Sequence, residues 1–215
     1  MIPLVIIGAG GFGREVVDVV RAINAVQPKY DLLGVVDDAP SQENLGRIDA
    51  LGVPYLGQSV EVGRLECQVT IGVGSPSSRQ RLWGVLDQLG IESPKLIHPS
   101  AWIGSQFRAS PGLVVCDGVS IGTNVGLGHH VHLNPRSIVG HDTTLGNCVS
   151  LNPNATVSGD CSVESCVLVG SGAVVIEGMT VGEGTTVGAC ACVVRDVPPS
   201  SVMVGVPAKP IRKSP

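Results

Sequence analysis

From Ile97 to Val193 every sixth residue is apolar, and only Ala109 in that series is small. The run passes through Ile103, Val115, Ile121, Leu127, Leu133, Val139, Leu145, Leu151, Val157, Val163, Val169, Val175, Val181 and Val187 without slippage. The residue after each is often small or polar, as at Gly104, Gly122, Gly128, Asn134, Gly140, Gly146, Asn152, Gly170, Gly182 and Gly188. A period of six over this length predicts a parallel β-helix built from hexapeptides. Each hexapeptide supplies a short strand and a corner. The aliphatic residue fills a narrow interior, and the small residue after it is expected to let the chain turn. Three hexapeptides close one triangular coil, so residues 18 apart stack. With coils rising by ~4.8 Å, nearly six coils give roughly 27 Å of prism. An interior this thin excludes rings, in keeping with an aromatic content of 3%. A helical reading fails, because apolar residues are not spaced at the helical period and Gly and Asn are too frequent.

Residues 1–94 follow another pattern, which predicts a first domain ahead of a prism domain over 95–215. Leu4–Ile7 reads as a buried strand, and a helix follows with Val16, Val19, Val20 and Ile23 on one face. Leu32–Val36 is a second strand, ending in Asp37-Asp38, and Val69–Val73 a third. Residues 39–60 read as a loop with one short strand near Tyr55. Gly74-Ser75-Pro76-Ser77 opens another helix, with Leu82, Val85, Leu86 and Leu89 on one face. Alternating strands and helices imply a small parallel sheet. The expected architecture is an α/β half-Rossmann-like domain followed by an all-β helix.

Charge and cysteine content narrow the function classes. A net charge of −4 with no basic stripe argues against nucleic acid as a partner. Lys209, Arg212 and Lys213 form one basic cluster and read as a solvated tail. The opening Met-Ile-Pro-Leu-Val-Ile-Ile-Gly has no basic n-region and reads as a strand rather than a signal peptide. No apolar run reaches the ~18 residues that span a bilayer. Seven cysteines at irregular spacing, with no CxxC pair, point to reduced thiols and a cytoplasmic location.

Gly8-x-Gly10-x-x-Gly13 lies between a strand and a helix, the context in which glycines bring backbone N–H groups to a diphosphate. Asp37, at the end of the second strand, stands where a ribose-binding acid is expected. The alternative is a tight βα turn that only packs helix on strand. A first domain of about 94 residues fits a single mononucleotide unit better than a full dinucleotide fold.

His129, His130, His132 and His141 lie close together. Stacking places His130, Cys148 and Cys166 in one column. Three ligands in a row do not easily surround a tetrahedral ion, so free thiols are expected there and no metal. His141 sits at a corner two residues after Val139 and is followed by Asp142, a carboxylate able to orient the ring of a general base. A merely polar corner residue is the competing reading.

The combination resembles the family of sialic-acid O-acetyltransferases and bacterial UDP-amino-sugar N-acetyltransferases of the bacillosamine and perosamine type. The matching stretches are Ile7-Gly-Ala-Gly-Gly-Phe-Gly-Arg-Glu-Val16, Val36-Asp-Asp38, Ile71-Gly-Val-Gly74, Ile97-His-Pro-Ser100, Gly140-His-Asp142 and Val204-Gly-Val-Pro-Ala-Lys209. The resemblance implies a left-handed β-helix assembled as a homotrimer. It places acetyl-CoA between neighbouring prisms and a nucleotide sugar on the N-terminal domain. It implies that His141 is the catalytic base, with Asp142 as its acidic partner. Nucleotide contacts would fall on Gly8, Gly10, Gly11, Phe12, Gly13, Asp37, Asp38 and Gly74. Coenzyme contacts would fall near Gly159, Ser171 and Ala189, with Ser150 near the acetyl group. Two positions depart from the family: many members carry His where this chain has Phe12, and one branch has His where this chain has Ser150.

The implied reaction is direct acetyl transfer to an amino group of a UDP- or GDP-linked sugar, without metal and without a cysteine nucleophile. The alternatives are a sialic-acid-type O-acetyltransferase and a trimeric scaffold that binds a sugar nucleotide without catalysis. A nicotinamide or flavin enzyme would leave the prism unexplained.

Overall fold

A computed structural model describes residues 1–211, so Arg212 and Lys213 of the basic tail lie outside the described residues. β1 (Ile2–Ile7), β2 (Tyr30–Val36) and β3 (Gln68–Ile71) form a parallel sheet in the order β2-β1-β3. α1 (Gly11–Val26) buries Val16, Val17, Val19 and Val20. α3 (Pro76–Gln88) starts at the Ser75 cap with proline in its first turn, as its sequence predicts. Of its apolar stripe only Leu86 is fully buried, while Val85 and Leu89 are about half exposed at 52% and 53%.

The segment 39–60 departs from expectation. It contains α2 (Gln42–Ala50) and the start of a 3-10 turn over Ser59–Arg64. Ser41 caps α2 by accepting from the Asn44 N–H, and the i,i+4 pair Glu43–Arg47 supports its exposed side. Only Ile48 of α2 is buried, so the helix leaves no apolar stripe to read. Tyr55 makes the expected extended contact, as a parallel bridge to Val35.

The prism begins at Leu96–Ile97 and its two-residue strands build three faces. The first face runs from Leu96–Ile97 through His132–Leu133 and Ser150–Leu151 to Val202–Val204 and Lys209–Pro210. The second runs from Trp102–Ile103 through Ile138–Val139 to Cys192–Val193, and the third from Arg108–Ala109 through Thr144–Leu145 to Thr180–Val181. The pairings Leu96↔Val114, Trp102↔Ser120 and Arg108↔Gly126 give the 18-residue coil. The last coil is shorter by two residues, pairing Thr186 with Val202 and Val181 with Val197. The six-residue series forms the interior, where Ile121, Leu133, Val157, Val175 and Val187 have no accessible surface.

The corners correct one expectation. The left-handed residue lies three positions after the core residue, not one, at Gln106, Asn124, His130, Arg136, Asp142, Cys148, Asn154, Asp160 and Cys166 among others. The glycine directly after the core residue answers to stacking instead. A Cβ on Gly104 would lie 2.6 Å from the carbonyl carbon of Gly122, and one on Gly146 would lie 2.6 Å from the nitrogen of Ser165. Two unlike demands, a left-handed backbone and a missing Cβ, therefore alternate around each coil.

The first domain seats on the first face. Leu96, Val114 and Cys116 belong to the same apolar cluster as Val16, Val17 and Val20 of α1. Arg79 of α3 is fully buried at the junction. Its Nε donates to the carbonyl of His130 at 2.8 Å, and Nη2 donates to the carbonyl of Cys148 and the hydroxyl of Ser150, each at 2.8 Å. Nη1 donates back to the carbonyl of Val73 at 2.9 Å.

The stacking rule carries a test. Gly146→Ala introduces a methyl group against rigid backbone and is expected to cost about 1–3 kcal/mol, the usual range for overpacking. Thermal and denaturant unfolding of the two proteins side by side would measure it. Equal stability would show that the coil spacing yields to a methyl group.

Candidate active site

His141 lies on the edge between the second and third faces, after Val139 and before Thr144. The edge fixes its backbone on both sides. The Asp142 N–H donates to the Thr123 carbonyl one coil earlier at 3.0 Å, and the Asp160 N–H donates to the His141 carbonyl one coil later at 2.8 Å. Beneath it Thr143 is buried, donating to the Ser158 carbonyl at 2.9 Å and accepting from the Cys161 N–H at 3.2 Å.

The side chains form a short relay. Nδ1 of His141 lies 2.8 Å from Oδ2 of Asp142, and Nδ2 of Asn124 donates to Oδ1 of the same carboxylate at 2.8 Å. With the Nδ1 proton directed at the carboxylate, Nε2 carries the free lone pair of the neutral ring. Its hydrogen bond with Asp142 raises the pKa of His141, with added help from the charges of Asp142, Glu177 and Asp160. The Asp142 carboxyl is held below its ordinary value by the Asn124 hydrogen bond first and by His141 second. Asn124 is not among the residues expected from the sequence. It stands 18 residues before Asp142 and shares its left-handed backbone, so stacking arithmetic alone points to it.

Gly159 lies under this imidazole. A Cβ there would sit 2.6 Å from both Cε1 and Nε2 of His141, so the missing side chain makes the floor on which the ring rests. Ser171 and Ala189 stack one coil apart on the edge between the first and second faces, whereas Gly159 lies on the edge between the second and third. One chain therefore does not align these three residues along a single edge. Ser150 lies on the first face. It is buried, accepts from Arg79 at 2.8 Å and donates to the Gly74 carbonyl at 3.3 Å, so it serves the domain junction.

The glycine loop leaves backbone donors open at the start of α1. Gly8 has φ of +115° and packs against Gly72, and a Cβ on Gly13 would overlap the Gly8 carbonyl. These contacts seat α1 directly on the strand ends. Among the described residues no partner takes the N–H groups of Gly10, Gly11, Phe12 and Gly13, and the space in front of Gly10 is open. Asp37 braces the loop, since its Oδ2 accepts from the Ala9 N–H at 2.8 Å and its Oδ1 from Ala39 at 3.0 Å. Asp38 accepts from the Ser59 N–H at 2.8 Å and from its hydroxyl at 2.7 Å. Both acids thus already hold protein groups. The Phe12 ring stacks on His132 of the prism, with ring centroids 4.5 Å apart.

The other histidines differ from His141. His132 is buried, and burial, followed by the charge of Arg79, pushes its pKa well below the ordinary value. His130 is pushed down to about 4 for the same two reasons in the same order. His130, Cys148 and Cys166 do stack at one corner, in left-handed backbone. Burial raises Cys148 to about 11, and the cationic Arg79 lies against its carbonyl. Among the described residues no group of three or more His, Cys, Asp or Glu is arranged to hold a metal ion. All seven cysteines are free thiols. No helix among the described residues is long and apolar enough to cross a membrane.

Residues 3–86 match the model of the PglD N-terminal domain family. Over the whole fold, the chain superposes on PerB from Caulobacter crescentus, solved in complex with CoA and GDP-perosamine. The TM-score is 0.87 and the identity 32%, with 97% of each chain covered. The chain belongs to this family of hexapeptide sugar N-acetyltransferases. The acetyltransferase domain of PglB from Neisseria gonorrhoeae, solved with acetyl coenzyme A, is 28% identical with a TM-score of 0.83, over 97% of this chain and 98% of that one. GDP-perosamine N-acetyltransferase of Escherichia coli O157:H7 is 26% identical over 138 residues, a match spanning 64% of this chain and 61% of that enzyme.

The relay and its glycine floor are open to measurement. By NMR titration the His141 ring is expected to titrate above the ordinary imidazole value of ~6.5 and to fall back toward it in Asp142→Asn. Gly159→Ala should displace the ring with little change in stability, because the methyl group meets the end of a side chain rather than backbone. An unchanged His141 pKa in both variants would refute the relay.

Proposed function

We propose that this protein transfers an acetyl group from acetyl-CoA to an amino group of a nucleotide-linked sugar, with His141 as general base. The observation that carries the reading is the oriented imidazole at the prism edge, with Nδ1 committed to Asp142 and Nε2 free. The open N–H groups of the glycine loop support a diphosphate handle on the acceptor. GDP-perosamine, bound by the Caulobacter enzyme, is the first acceptor to test, with UDP-linked amino sugars beside it.

Nε2 of His141 accepts a proton as the amine nitrogen attacks the thioester carbonyl carbon. Asp142 holds the Nδ1 proton and stabilises the imidazolium, while Asn124 keeps the carboxylate turned toward the ring. The tetrahedral intermediate collapses with cleavage of the C–S bond, and the imidazolium returns its proton to the departing thiolate. The remote diphosphate contacts position the amine, so binding at one end of the substrate serves the reaction at the other.

The same geometry supports a site shared between copies. The nucleotide domain covers the first face, and His141 lies on the edge opposite that face. An acceptor held by the glycine loop thus lies across the prism from the His141 of its own chain. A neighbouring copy brings the two together, and a homotrimer closes such contacts with one repeated interface.

His141→Ala is expected to lower kcat by ~10²–10⁴-fold with GDP-perosamine and acetyl-CoA, the range for loss of a positioned base. The neutral ring is the active form and its pKa is raised. The wild-type rate should therefore fall as pH drops, starting at higher pH than an ordinary imidazole would dictate, and the variant should lose this limb. A variant within about threefold of the wild-type rate would remove His141 from the role of base. Light scattering should give a mass about three times 22.1 kDa. A fully active monomer would overturn the shared site.

A further inference from the structure

Arg14 has no part in the reading so far, yet it stands at the mouth of the glycine loop. It is the fourth residue of α1, and its side chain folds back over the helix start, the direction helical side chains favour. One guanidinium nitrogen, Nη1, is spent on the protein. It donates to the Ala9 carbonyl at 3.1 Å and to Oδ1 of Asn44 at 2.8 Å. Asn44 sits in the first turn of α2, the helix that the sequence pattern does not announce, and its N–H is held by the Ser41 cap. The guanidinium is thus braced from two sides by neutral acceptors.

The rest of the fork is unspent. Among the described residues no carboxylate pairs with Arg14, and neither Nε nor Nη2 has a hydrogen-bond partner. Nη2 lies over Gly11, where a Cβ would stand 3.9 Å from it, and the space before Gly10 is open. The N–H groups of Gly10 to Gly13, at the same helix start, have no hydrogen-bond partner among the described residues. A half-buried cation with unused donors, held beside unpaired amides and without a counter-ion, suits a ligand that carries more than one negative charge.

We propose that Arg14 is the cation that binds the diphosphate of the sugar nucleotide, with Asn44 as the residue that holds it in place. This rests on the nucleotide-sugar reading of the loop and adds a specific charge to it. The backbone amides supply hydrogen bonds to phosphate oxygens, and the guanidinium supplies the full charge that a helix terminus lacks. Lysine does not replace it, since one ammonium cannot hold the Ala9 carbonyl, Asn44 and a phosphate in a planar fork.

Calorimetry on the full chain with GDP and with UDP tests the proposal, alongside ligand-observed NMR of guanosine and uridine. Arg14→Gln is expected to weaken the nucleoside diphosphate by about 10- to 100-fold, the weight of a charge-assisted hydrogen-bonded contact. Nucleoside and acetyl-CoA binding should stay as in the wild type. Asn44→Ala, which keeps the charge and removes the brace, should show a smaller loss confined to the same ligand. Added salt should weaken diphosphate binding less steeply in Arg14→Gln than in the wild type. Diphosphate affinity within about twofold of wild type would overturn the proposal, and so would an equal loss of nucleoside binding, which would mark Arg14 as structural. A wild-type protein that binds neither GDP nor UDP would instead bring down the nucleotide-sugar reading, and Arg14 with it.

Discussion

One buried guanidinium holds the two halves of this chain in register. Arg79 has no accessible surface, and its neighbours are the carbonyls of Val73, Gly74, His130, Cys148 and Val149 and the hydroxyl of Ser150. Burial lowers its pKa to about 10, so the group keeps its charge at neutral pH. A buried charge is costly unless its donors are satisfied, and here backbone dipoles from both domains satisfy them. The first two carbonyls belong to the loop after β3, and the others to the prism coils on either side of His141. The placement of the first domain on the prism thus depends on atoms that only this fold brings together.

The same cation helps explain why identical side chains behave in opposite ways. His130 and His132 stand near Arg79 inside the junction, and burial together with that charge keeps them neutral. His141 is exposed and faces Asp142, with Asp160 and Glu177 in the columns below, and these favour its protonated form. Position on the prism therefore decides in which direction each of these three imidazoles is shifted. A face covered by a domain suppresses the charge, and a bare edge lined with carboxylates supports it.

Legibility in the sequence follows how local each constraint is. The prism is readable because each interior position makes the same demand on its own residue, repeated at a fixed period. The His141–Asp142 pair is readable because the partners are adjacent. Asn124 is harder to see although the stacking period reaches it, because a polar contact between coils leaves no mark on its own stretch of chain. The corner glycines mislead, since a missing Cβ and a left-handed backbone leave the same letter. α2 is hidden because only Ile48 is buried. Arg79 and Ser150 cannot be read at all. A charged residue is ordinarily solvated, and nothing nearby in the chain reveals that carbonyls from two domains will surround it.

The shortened last coil ends the prism in a particular manner. After Val202–Val204 the chain turns back, and Lys209–Pro210 pairs antiparallel along the open edge. A stack of parallel coils otherwise presents a row of unpaired backbone groups, onto which another such stack could add without limit. Proline has no N–H to offer a further strand, and lysine places a charge beside it. The turned-back tail thus caps the first face of the solenoid, and at that edge two residues that play no part in the interior disfavour the addition of a further strand.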